Sequence, residues 1–524
     1  MYPRLILLRC ASLLLLIFCR MALSHNVIEI LPGYPGKLPF RLETGYIGIG
    51  ESEEVQLFYY FIESERNPKD DPLILWLTGG PGCSGLSNLI YQTGPFTIDY
   101  ANSSGSLPAL VYNPYTWTKV ANIIYIDQPA GTGYSYAKTW EAYNTNDTLS
   151  AAHTYEFLRK WLIYHPKYLD NPLYIGGESY SGLVVPLVVN NIYNAIEAGS
   201  QPPLNMKPVL FELNAGYVQG NPATNKFWDF NERIPYAHRM GLLSDNLFKS
   251  VKESCKGNYV HADPNNVLCQ RNLERVAECL DRIRTSNILE PWCSMMSKKR
   301  DFLSWDSSLE EENEDLLLSM NPFKRSWCRF DNYVYSYIWA NDISVQKALH
   351  VSEGTIKEWL RCNMSMHIRP GKQHGCYVFD VQSTVEYHWN FTHKHCRALI
   401  YSGDHDMVVP HTGTEKWIDS LNLTVQSDWK PWFVESQVAG YTEQYSHNDY
   451  QFTYATVKVT NILPLRGLVI RRLNTTPCNA LPWLIGGFLS SPFNSPQHKL
   501  VLKLILVLDE ESQWQRLQAR KSSI

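Results

Sequence analysis

Short apolar runs that end at glycine, proline or aspartate constrain the fold of this chain more than any other feature. Each run is too short for a helix and apolar throughout, which is typical of a strand buried on both faces of a parallel sheet. Helix-like stretches lie between the runs, the clearest at 148–163, just before Pro166. Strands that alternate with helices predict an α/β sheet. The runs that predict strands lie at 73–77, 123–126, 173–175, 209–213 and 398–401.

The composition is that of a globular protein without a nucleic-acid partner. The 524 residues are 44% hydrophobic, which is enough for a large core in one domain with insertions or in two domains. The 47 basic and 51 acidic residues give a net charge of −4, and no basic stretch is long enough to favour nucleic acid.

Residues 1–24 predict a secretory signal peptide. Arg4 and Arg9 precede an apolar run at 11–18, and small residues follow up to Ser24. A membrane anchor is the alternative, but the run is short and Arg20 interrupts it. We therefore expect a protein of the secretory pathway, extracellular or vacuolar, without a membrane span.

Cysteines and glycosylation sequons agree with that compartment. Two of the 12 cysteines, Cys10 and Cys19, belong to the signal peptide. The spacing of the others fits no zinc pattern, so disulfides are expected, although their pairing stays open. N-glycosylation is expected in a secreted chain that carries sequons. The sequons lie at Asn102, Asn146, Asn363, Asn390, Asn422 and Asn474.

The segment 175–182 predicts a nucleophile elbow. It reads Ile-Gly-Gly-Glu-Ser-Tyr-Ser-Gly, follows a predicted strand and precedes an apolar stretch of helical length. An elbow needs small residues two positions before and after its nucleophile, and Gly177 and Ser181 occupy these positions around Ser179. Ser181 departs from the usual final glycine. A serine in an ordinary turn is the alternative, but the strand–turn–helix context favours the elbow.

A glycine-rich loop follows the strand predicted at 73–77. Residues 78–83 read Thr-Gly-Gly-Pro-Gly-Cys. Glycine lets the backbone approach a ligand closely, so such a loop can turn N–H groups toward a negatively charged oxygen. An ordinary tight turn is the alternative.

Asp404 and Asp406 follow the last predicted strand. An acid in this place, after the serine in chain order, is where an α/β-hydrolase keeps the residue that orients its histidine. The segment by itself leaves both aspartates open.

These motifs together resemble those of plant serine carboxypeptidase-like proteins. The likeness covers about residues 28 to 458. It implies an α/β-hydrolase fold with a mixed, mostly parallel central sheet and an inserted helical lid, and it implies no cofactor and no metal. The matching segments lie at 43–46, 79–83, 127–135, 177–182, 220–222 and 403–406.

The resemblance also assigns roles to residues. It implies that Ser179 is the nucleophile and that Asp406, rather than Asp404, is the acid of the triad. Backbone N–H groups of Gly80 and Tyr180 would form the oxyanion hole. In the family, the cysteine of the glycine loop is bridged to a distant one, which implies that Cys83 is disulfide-bonded.

Residues 227–330 differ from the rest of the chain. Cysteines are dense there, and helix-like segments run together without strands between them. We predict an inserted lid in this range, between core segments at 25–226 and 331–458.

The resemblance leaves two reactions open. Carboxypeptidases of this family bind a peptide's terminal carboxylate with an Asn before the two glycines and with the Glu beside the serine. Here Glu178 and the first glycine, Gly79, are kept and are expected to bind substrate together with Thr78, which replaces the Asn. Thr78 therefore offers one hydroxyl donor at a position where the amide of Asn would offer two N–H donors.

A weaker carboxylate clamp resembles the branch of the family that transfers acyl groups from acyl-glucose esters to small alcohols. We therefore predict acyl transfer through an acyl-serine intermediate. A serine carboxypeptidase and an inactive homologue are the alternatives. The expected partner is a small-molecule ester or a peptide substrate.

The catalytic histidine of the family is missing. It belongs to a Gly-Ala-Gly-His-Thr-Ala-Pro-Glu-Tyr-type loop that follows a strand reading Ala-Thr-Val-Lys. The strand is present at 455–458, but no histidine follows within 459–474. His447 precedes the strand and His498 lies far beyond the loop, and we assign catalysis to neither. Loss of a triad member costs several orders of magnitude in rate.

A shifted reading frame accounts for the gap. If translation resumes at the third base of the Arg466 codon, the following residue types allow Gly-Ala-Gly-His-Thr-Ala-Pro-Glu-Tyr, with the histidine across the codons of Val469 and Ile470. The skipped bases are the codons of 459–465 and two bases of the next codon. Their number is not a multiple of three, so including them shifts the reading frame. The hypothesis is that residues 459–524 are a splicing or gene-model product. We call the alternative product, residues 1–458 followed by that loop, the restored-frame chain.

Overall fold

A computed structural model describes most of the chain between Asn26 and Lys458. The described residues are 26–100, 102–103, 107–200, 216–290, 329–367, 377–394, 396–434, 436–448 and 450–458. The predicted signal peptide, the run at 209–213, Asn474 and the tail at 459–524 lie outside these ranges.

Sixteen strands occur in the described residues. In chain order they are β1 (Asn26–Ile30), β2 (Lys37–Ile49), β3 (Val55–Ile62), β4 (Leu73–Leu77), β5 (Phe96–Ile98), β6 (Leu110–Tyr112), β7 (Asn122–Ile126), β8 (Tyr136–Ala137), β9 (Thr145–Asn146), β10 (Leu173–Glu178), β11 (Gly216–Gly220), β12 (Tyr377–Val378), β13 (Arg397–Gly403), β14 (Thr424–Val434), β15 (Gln437–His447) and β16 (Tyr450–Val457).

Eleven α-helices occur in the same residues. They are α1 (Leu86–Tyr91), α2 (Asp147–Tyr164), α3 (Ser181–Glu197), α4 (Lys226–Asn231), α5 (Arg233–Arg239), α6 (Asp245–Ser254), α7 (Val267–Leu280), α8 (Arg329–Asn341), α9 (Ile343–Ala348), α10 (Val385–Phe391) and α11 (His411–Ser420).

One mixed sheet of 12 of these strands organises the described residues. Its order is β1-β2-β3-β7-β4-β10-β11-β13-β16-β15-β14, with β8 paired to β3. The central strands from β7 to β16 pair in parallel, and the strands on either side pair antiparallel. The carboxyl ends of the parallel strands therefore lie at one edge.

The central strands are buried on both faces, as the sequence predicts for parallel strands. In β4, Leu73, Leu75 and Leu77 belong to the cluster that packs under α2, α3 and α11. Ile74 and Trp76 belong to a second cluster with α1, α8 and α9 on the opposite face. The apolar runs at 73–77, 123–126, 173–175 and 398–401 are confirmed as β4, β7, β10 and β13, and the helix predicted at 148–163 is confirmed as α2.

One central strand was not predicted. β11 (Gly216–Gly220) pairs in parallel between β10 and β13. Its sequence is Gly-Tyr-Val-Gln-Gly, and the buried Gln219 and the flanking glycines hide the apolar character that identifies the other strands. Nε2 of Gln219 donates to the carbonyl of Gly182 at 3.3 Å, while its buried Oε1 has no hydrogen-bond partner among the described residues.

The range assigned to the lid is helical where it is described. Helices α4 to α7 lie in 226–280, and no strand occurs among the described residues of 227–330. A separate apolar cluster joins α5, α6 and α7 and contains the disulfide between Cys255 and Cys269. The boundary at 330 falls within α8, and the extent of the lid stays a prediction.

A search of the described helices finds none that combines the length and the hydropathy needed to cross a bilayer.

Replacing Cys83 and Cys362 together by alanine should lower the free energy of unfolding more than the same change at Cys255 and Cys269. The first disulfide joins residues 279 apart and the second joins residues 14 apart. The entropy of loop closure gives about 5–6 kcal/mol for the long loop and about 3 kcal/mol for the short one. Urea unfolding of both variants measures the difference, and equal losses would contradict the expected order.

Candidate active site

The site is built at the edge where the parallel strands end. The glycine loop follows β4, Ser179 follows β10, Asn221 follows β11, and Asp404 and Asp406 follow β13. Neighbouring strands are about 4.8 Å apart, so the strands that carry Ser179 and the acids lie about 10 Å from each other. The sheet thus collects residues that are far apart in the chain.

Ser179 occupies a left-handed turn between β10 and α3. Its φ is +56°, which costs a non-glycine residue roughly 1–2 kcal/mol. Backbone hydrogen bonds fix the turn on both sides. The Ser179 N–H donates to the carbonyl of Gly220 at 3.0 Å, and the Ser179 carbonyl accepts from Gly182 at 3.0 Å and from Ala223 at 2.9 Å. No partner for the Ser179 hydroxyl was found among the described residues.

The small residues beside Ser179 are required by packing. A Cβ added at Gly177 would lie 2.3 Å from Oγ of Ser181 and 2.9 Å from the carbonyl oxygen of Leu77. Ser181, which stands where a glycine is usual, donates its hydroxyl to the carbonyl of Glu178 at 2.6 Å. This hydrogen bond gives the serine at this position of the motif a structural role in the elbow.

The glycine loop lies directly against the elbow. A Cβ added at Gly79 would lie 2.8 Å from Cβ of Ser179 and 3.1 Å from the backbone nitrogen of Tyr180. Gly80 has a φ of +114°, a region that other residues avoid. The loop that carries Gly80 therefore lies against the backbone of Ser179 and Tyr180, and the oxyanion role of Gly80 and Tyr180 stays a prediction.

A buried carboxylate anchors this loop, and sequence reasoning gave it no role. Asp127, at the end of β7, accepts from the Ser84 hydroxyl and the Gly85 N–H at 2.7 Å each, and from the Tyr134 N–H at 2.9 Å. Burial raises the pKa of Asp127 to about 6, while these donors oppose the rise. Asp127 thereby ties the loop after β4 to the loop after β7.

The disulfide predicted for Cys83 is confirmed, and its partner is Cys362. Around it, the Ser84 N–H donates to the carbonyl of Arg361 at 2.8 Å. The Asn363 N–H donates to the carbonyl of Gly82 at 2.9 Å. The glycine loop is therefore fixed covalently and by hydrogen bonds to 361–363. Cys279 and Cys396 form no disulfide with another described residue.

The two aspartates after β13 have different surroundings. Oδ1 of Asp406 accepts from the N–H groups of Val408 at 2.7 Å and Val409 at 3.0 Å. Oδ1 of Asp404 lies 2.6 Å from Nδ1 of its neighbour His405. Asp404 is thus engaged with His405, whereas Asp406 is oriented by the backbone of its own loop.

Asn221, which follows β11, connects the end of that strand to β13 and to the acid loop. Its N–H donates to the carbonyl of Tyr401 at 2.7 Å, and its Oδ1 accepts from the Gly403 N–H at 3.0 Å. Its Nδ2 donates to the carbonyl of Val409 at 3.4 Å. The segment Gly-Asn-Pro at 220–222 was part of the family likeness, but only the structure assigns this bracing to Asn221.

Thr78 directly precedes Gly79 and Glu178 directly precedes Ser179, so the close approach of Gly79 to Ser179 brings the two residues of the predicted substrate clamp into the same region. Oε1 of Glu178 accepts from Nε2 of Gln92 at 2.5 Å. Burial raises the pKa of Glu178, whereas Gln92, Asn88 and the positive charge of Arg361 favour its ionised form.

Asn88 links the two members of the clamp. Its Nδ2 donates to Oγ1 of Thr78 at 2.8 Å, and its Oδ1 accepts from Nε1 of Trp76 at 3.0 Å. Thr78 is only 6% exposed. Because its oxygen already accepts from Asn88, the Thr78 hydroxyl can donate its one proton to a ligand.

The structure also shows where a histidine would have to enter. β16 is the parallel neighbour of β13, and the Asp404 N–H donates to the carbonyl of Val457 at 3.1 Å. The chain therefore leaves β16 beside the loop that holds Asp406. His447 pairs with Tyr450 at the opposite end of β16, about 23 Å along the strand. This position excludes His447 from the site.

The five described sequons differ in exposure. Asn102, Asn390 and Asn422 are exposed, whereas Asn146 and Asn363 are half-buried. Nδ2 of Asn363 donates to the carbonyl of Gly131 at 2.8 Å, beside the glycine loop. Glycosylation at these positions stays a prediction.

The sheet order and the strand–elbow–helix at Ser179 define the α/β-hydrolase class of protein. A solved structure of this class, the prohormone-processing carboxypeptidase Kex1 from Saccharomyces cerevisiae, aligns with a TM-score of 0.60 at 18% identity. The alignment covers 83% of this chain and 91% of Kex1. The likeness at this identity concerns the fold.

The chain belongs to the serine carboxypeptidase family, whose model matches residues 32–460. Serine carboxypeptidase-like 1 of Arabidopsis thaliana is 44% identical over 435 residues, which cover 83% of this chain and 88% of that protein. Serine carboxypeptidase-like 11 of the same plant is 44% identical over 452 residues, covering 85% and 93%. The family expected from the motifs is thereby confirmed.

Replacing Gly79 by alanine should disable Ser179, because the added Cβ would meet its Cβ at 2.8 Å and the Glu178 carbonyl at 2.9 Å. We expect fluorophosphonate labelling of Ser179 in the restored-frame chain to slow by about a hundredfold, equivalent to about 2.7 kcal/mol. Gly257→Ala is the control, because no atom lies within 4 Å of an added Cβ there, although the φ of +73° makes that substitution strained in its own backbone. Equal labelling of both variants would contradict the packing argument.

Proposed function

We propose that this protein transfers an acyl group from an acyl-glucose ester to a small hydroxyl acceptor, with Ser179 as the nucleophile. The observation that carries the proposal is the contact of Gly79 with Ser179 in a site whose clamp has Thr78 beside Glu178. The elbow supports acyl chemistry, and the composition of the clamp supports transfer over peptide hydrolysis.

The first half of the reaction forms an acyl-enzyme. Oγ of Ser179 attacks the ester carbonyl and gives its proton to a general base, which passes it to the departing glucose oxygen. The N–H groups of Gly80 and Tyr180 stabilise the oxyanion of the tetrahedral intermediate. The bond from Ser179 to the acyl carbon forms first, and collapse of the intermediate then breaks the ester bond to glucose.

The second half reverses these roles. The acceptor hydroxyl gives its proton to the base and attacks the acyl carbon, and Ser179 leaves with a proton from the base. Water in place of the acceptor gives hydrolysis, so the choice of acceptor decides between transferase and hydrolase.

Thr78 bears on that choice. A peptide's terminal carboxylate needs several donors, and each hydrogen bond to a charged group contributes about 1.5–3 kcal/mol. Thr78 offers one proton, while Gln92 is occupied with Glu178 and Asn88 with Thr78. The site is therefore better suited to an uncharged ester than to a free carboxylate.

The base has to come from the restored-frame loop. Its expected position directly after β16 lies beside Asp406, and the match to the family model ends at residue 460, where the frame hypothesis places the break. Histidines in or next to the acid loop are poor substitutes. Asp404 holds His405, and burial lowers the pKa of His411 to about 4.

Thr78→Asn should move the enzyme toward peptide hydrolysis. The second amide donor is expected to raise the ratio of blocked-dipeptide hydrolysis to acyl-glucose turnover about tenfold, which corresponds to roughly 1.4 kcal/mol. Thr78→Ser, which keeps one hydroxyl donor, serves as the matched control and should keep the ratio. Both substrates are supplied to the same preparation of the restored-frame chain. Turnover of the dipeptide alone by the unsubstituted chain would identify a carboxypeptidase instead.

The histidine of the restored-frame loop is expected to determine whether Ser179 is reactive. A fluorophosphonate is expected to label Ser179 in the restored-frame chain, and labelling of the chain as written should be lower by at least a thousandfold. Ser179→Ala gives the background, and transcript sequencing across the codon of Lys458 shows which chain is made. A transcript in the written frame, with no labelling of the folded product, would favour the inactive homologue.

A further inference from the structure

A buried carboxylate lies behind the elbow, outside the groups that the proposed reaction uses. Asp147, the first residue of α2, is fully buried. Its Oδ1 accepts from the hydroxyl of Tyr180 at 2.5 Å and from that of Tyr377 at 2.8 Å. Its Oδ2 accepts from the Val381 N–H at 2.9 Å. Burial raises the pKa of Asp147, and these donors stabilise the ionised form.

Tyr180 connects this carboxylate to the reaction centre. It directly follows Ser179, and its backbone N–H is one of the two proposed oxyanion donors. Its side chain is 1% exposed and packs edge-on against Tyr377 and Phe379, with ring centroids at 6.2 Å and 5.7 Å. The residue is therefore held at its backbone by the elbow and at its hydroxyl by Asp147.

The elbow needs such support. Ser179 is in a strained conformation, and Tyr180 begins α3 without a side-chain cap on the helix. Strained residues persist only where their surroundings fix them. A tyrosine has few rotatable bonds, so anchoring its hydroxyl limits the rotation of its own backbone amide.

Asp147 is itself held firmly. Its N–H donates to Oδ1 of Asp380 at 2.8 Å, and the hydroxyl of Thr148 donates to Oδ2 of Asp380 at 2.7 Å. The carboxylate of Asp380 therefore satisfies the first N–H groups of α2, where the helix dipole favours negative charge. The anchor of Tyr180 is thus part of a helix rather than of a mobile loop.

We propose that Asp147 is a positioning residue of the reaction centre, which acts through the Tyr180 hydroxyl to keep the Tyr180 N–H aimed at the oxyanion. The proposal rests on the proposed function for its catalytic consequence. Its structural part, that the hydroxyl of Tyr180 restrains the elbow, can be tested without activity.

Tyr377 provides a matched control for the test. It donates to the same oxygen of Asp147 and is also buried, but it lies on β12 and not in the elbow. Tyr180→Phe and Tyr377→Phe each remove one hydroxyl from the same acceptor and keep the ring. A purely structural role of the network predicts similar effects of the two changes.

The activity-independent readout is hydrogen exchange of the elbow in the full chain. The amides of Ser179, Gly182 and Leu183 are hydrogen-bonded in the turn and the first turn of α3. Tyr180→Phe is expected to speed exchange in a peptide covering 176–183 at least tenfold, while Tyr377→Phe changes it less than threefold. Thermal melting of both variants confirms that each is folded.

The second readout is fluorophosphonate labelling of the restored-frame chain, where Tyr180→Phe should slow labelling about tenfold and Tyr377→Phe less than twofold. Equal effects of the two variants on exchange would overturn the proposal, even if the unsubstituted chain is labelled. Faster exchange in Tyr180→Phe alone, with no labelling of any chain, would support the restraint while rejecting the proposed function.

Discussion

The left-handed turn at Ser179 is the constraint on which the rest of the site depends. A serine with a φ of +56° persists only because its neighbours fix it, here through backbone hydrogen bonds to Gly220, Gly182 and Ala223. The turn also needs empty space, which Gly177 and Gly79 supply by lacking side chains. The small residues around the serine are therefore required by the backbone conformation of the turn, as well as by any reaction at the serine.

Parallel strand pairing explains how the turn at Ser179 comes to lie near the other residues of the site. The strands before Ser179, Asn221 and Asp406 are neighbours in the sheet, so a register fixed by core packing also fixes the spacing of these residues. The side chain of Asn221, at the end of β11, then forms hydrogen bonds with Gly403 at the end of β13 and with Val409 in the acid loop. The positions of these residues at the sheet edge are thus set mainly by the register of the buried strands, and the loops adjust them only slightly.

The sequence predicted the parts whose cause is local. Uniformly apolar runs identified β4 and β13, and small residues on either side of a serine identified the elbow. It missed β11, where Gln219 breaks the apolar pattern and donates from Nε2 to a carbonyl in another element. Asn88, Gln92, Asp127 and Asp147 were also missed, because each acts on a residue in another element and has no signature in its own segment. Family likeness supplied the choice of Asp406, which spacing left open.

The place of β16 in the sheet has a consequence for the timing of biosynthesis. This strand is the last one described, yet it lies inside the sheet, between β13 and β15. A ribosome completes the serine and both aspartates before β16 exists, and any base that follows β16 emerges later still. With Ser179 as the proposed nucleophile and the proposed base after β16, a nascent chain of this topology would stay inert until β16 and the segment that follows it have been made.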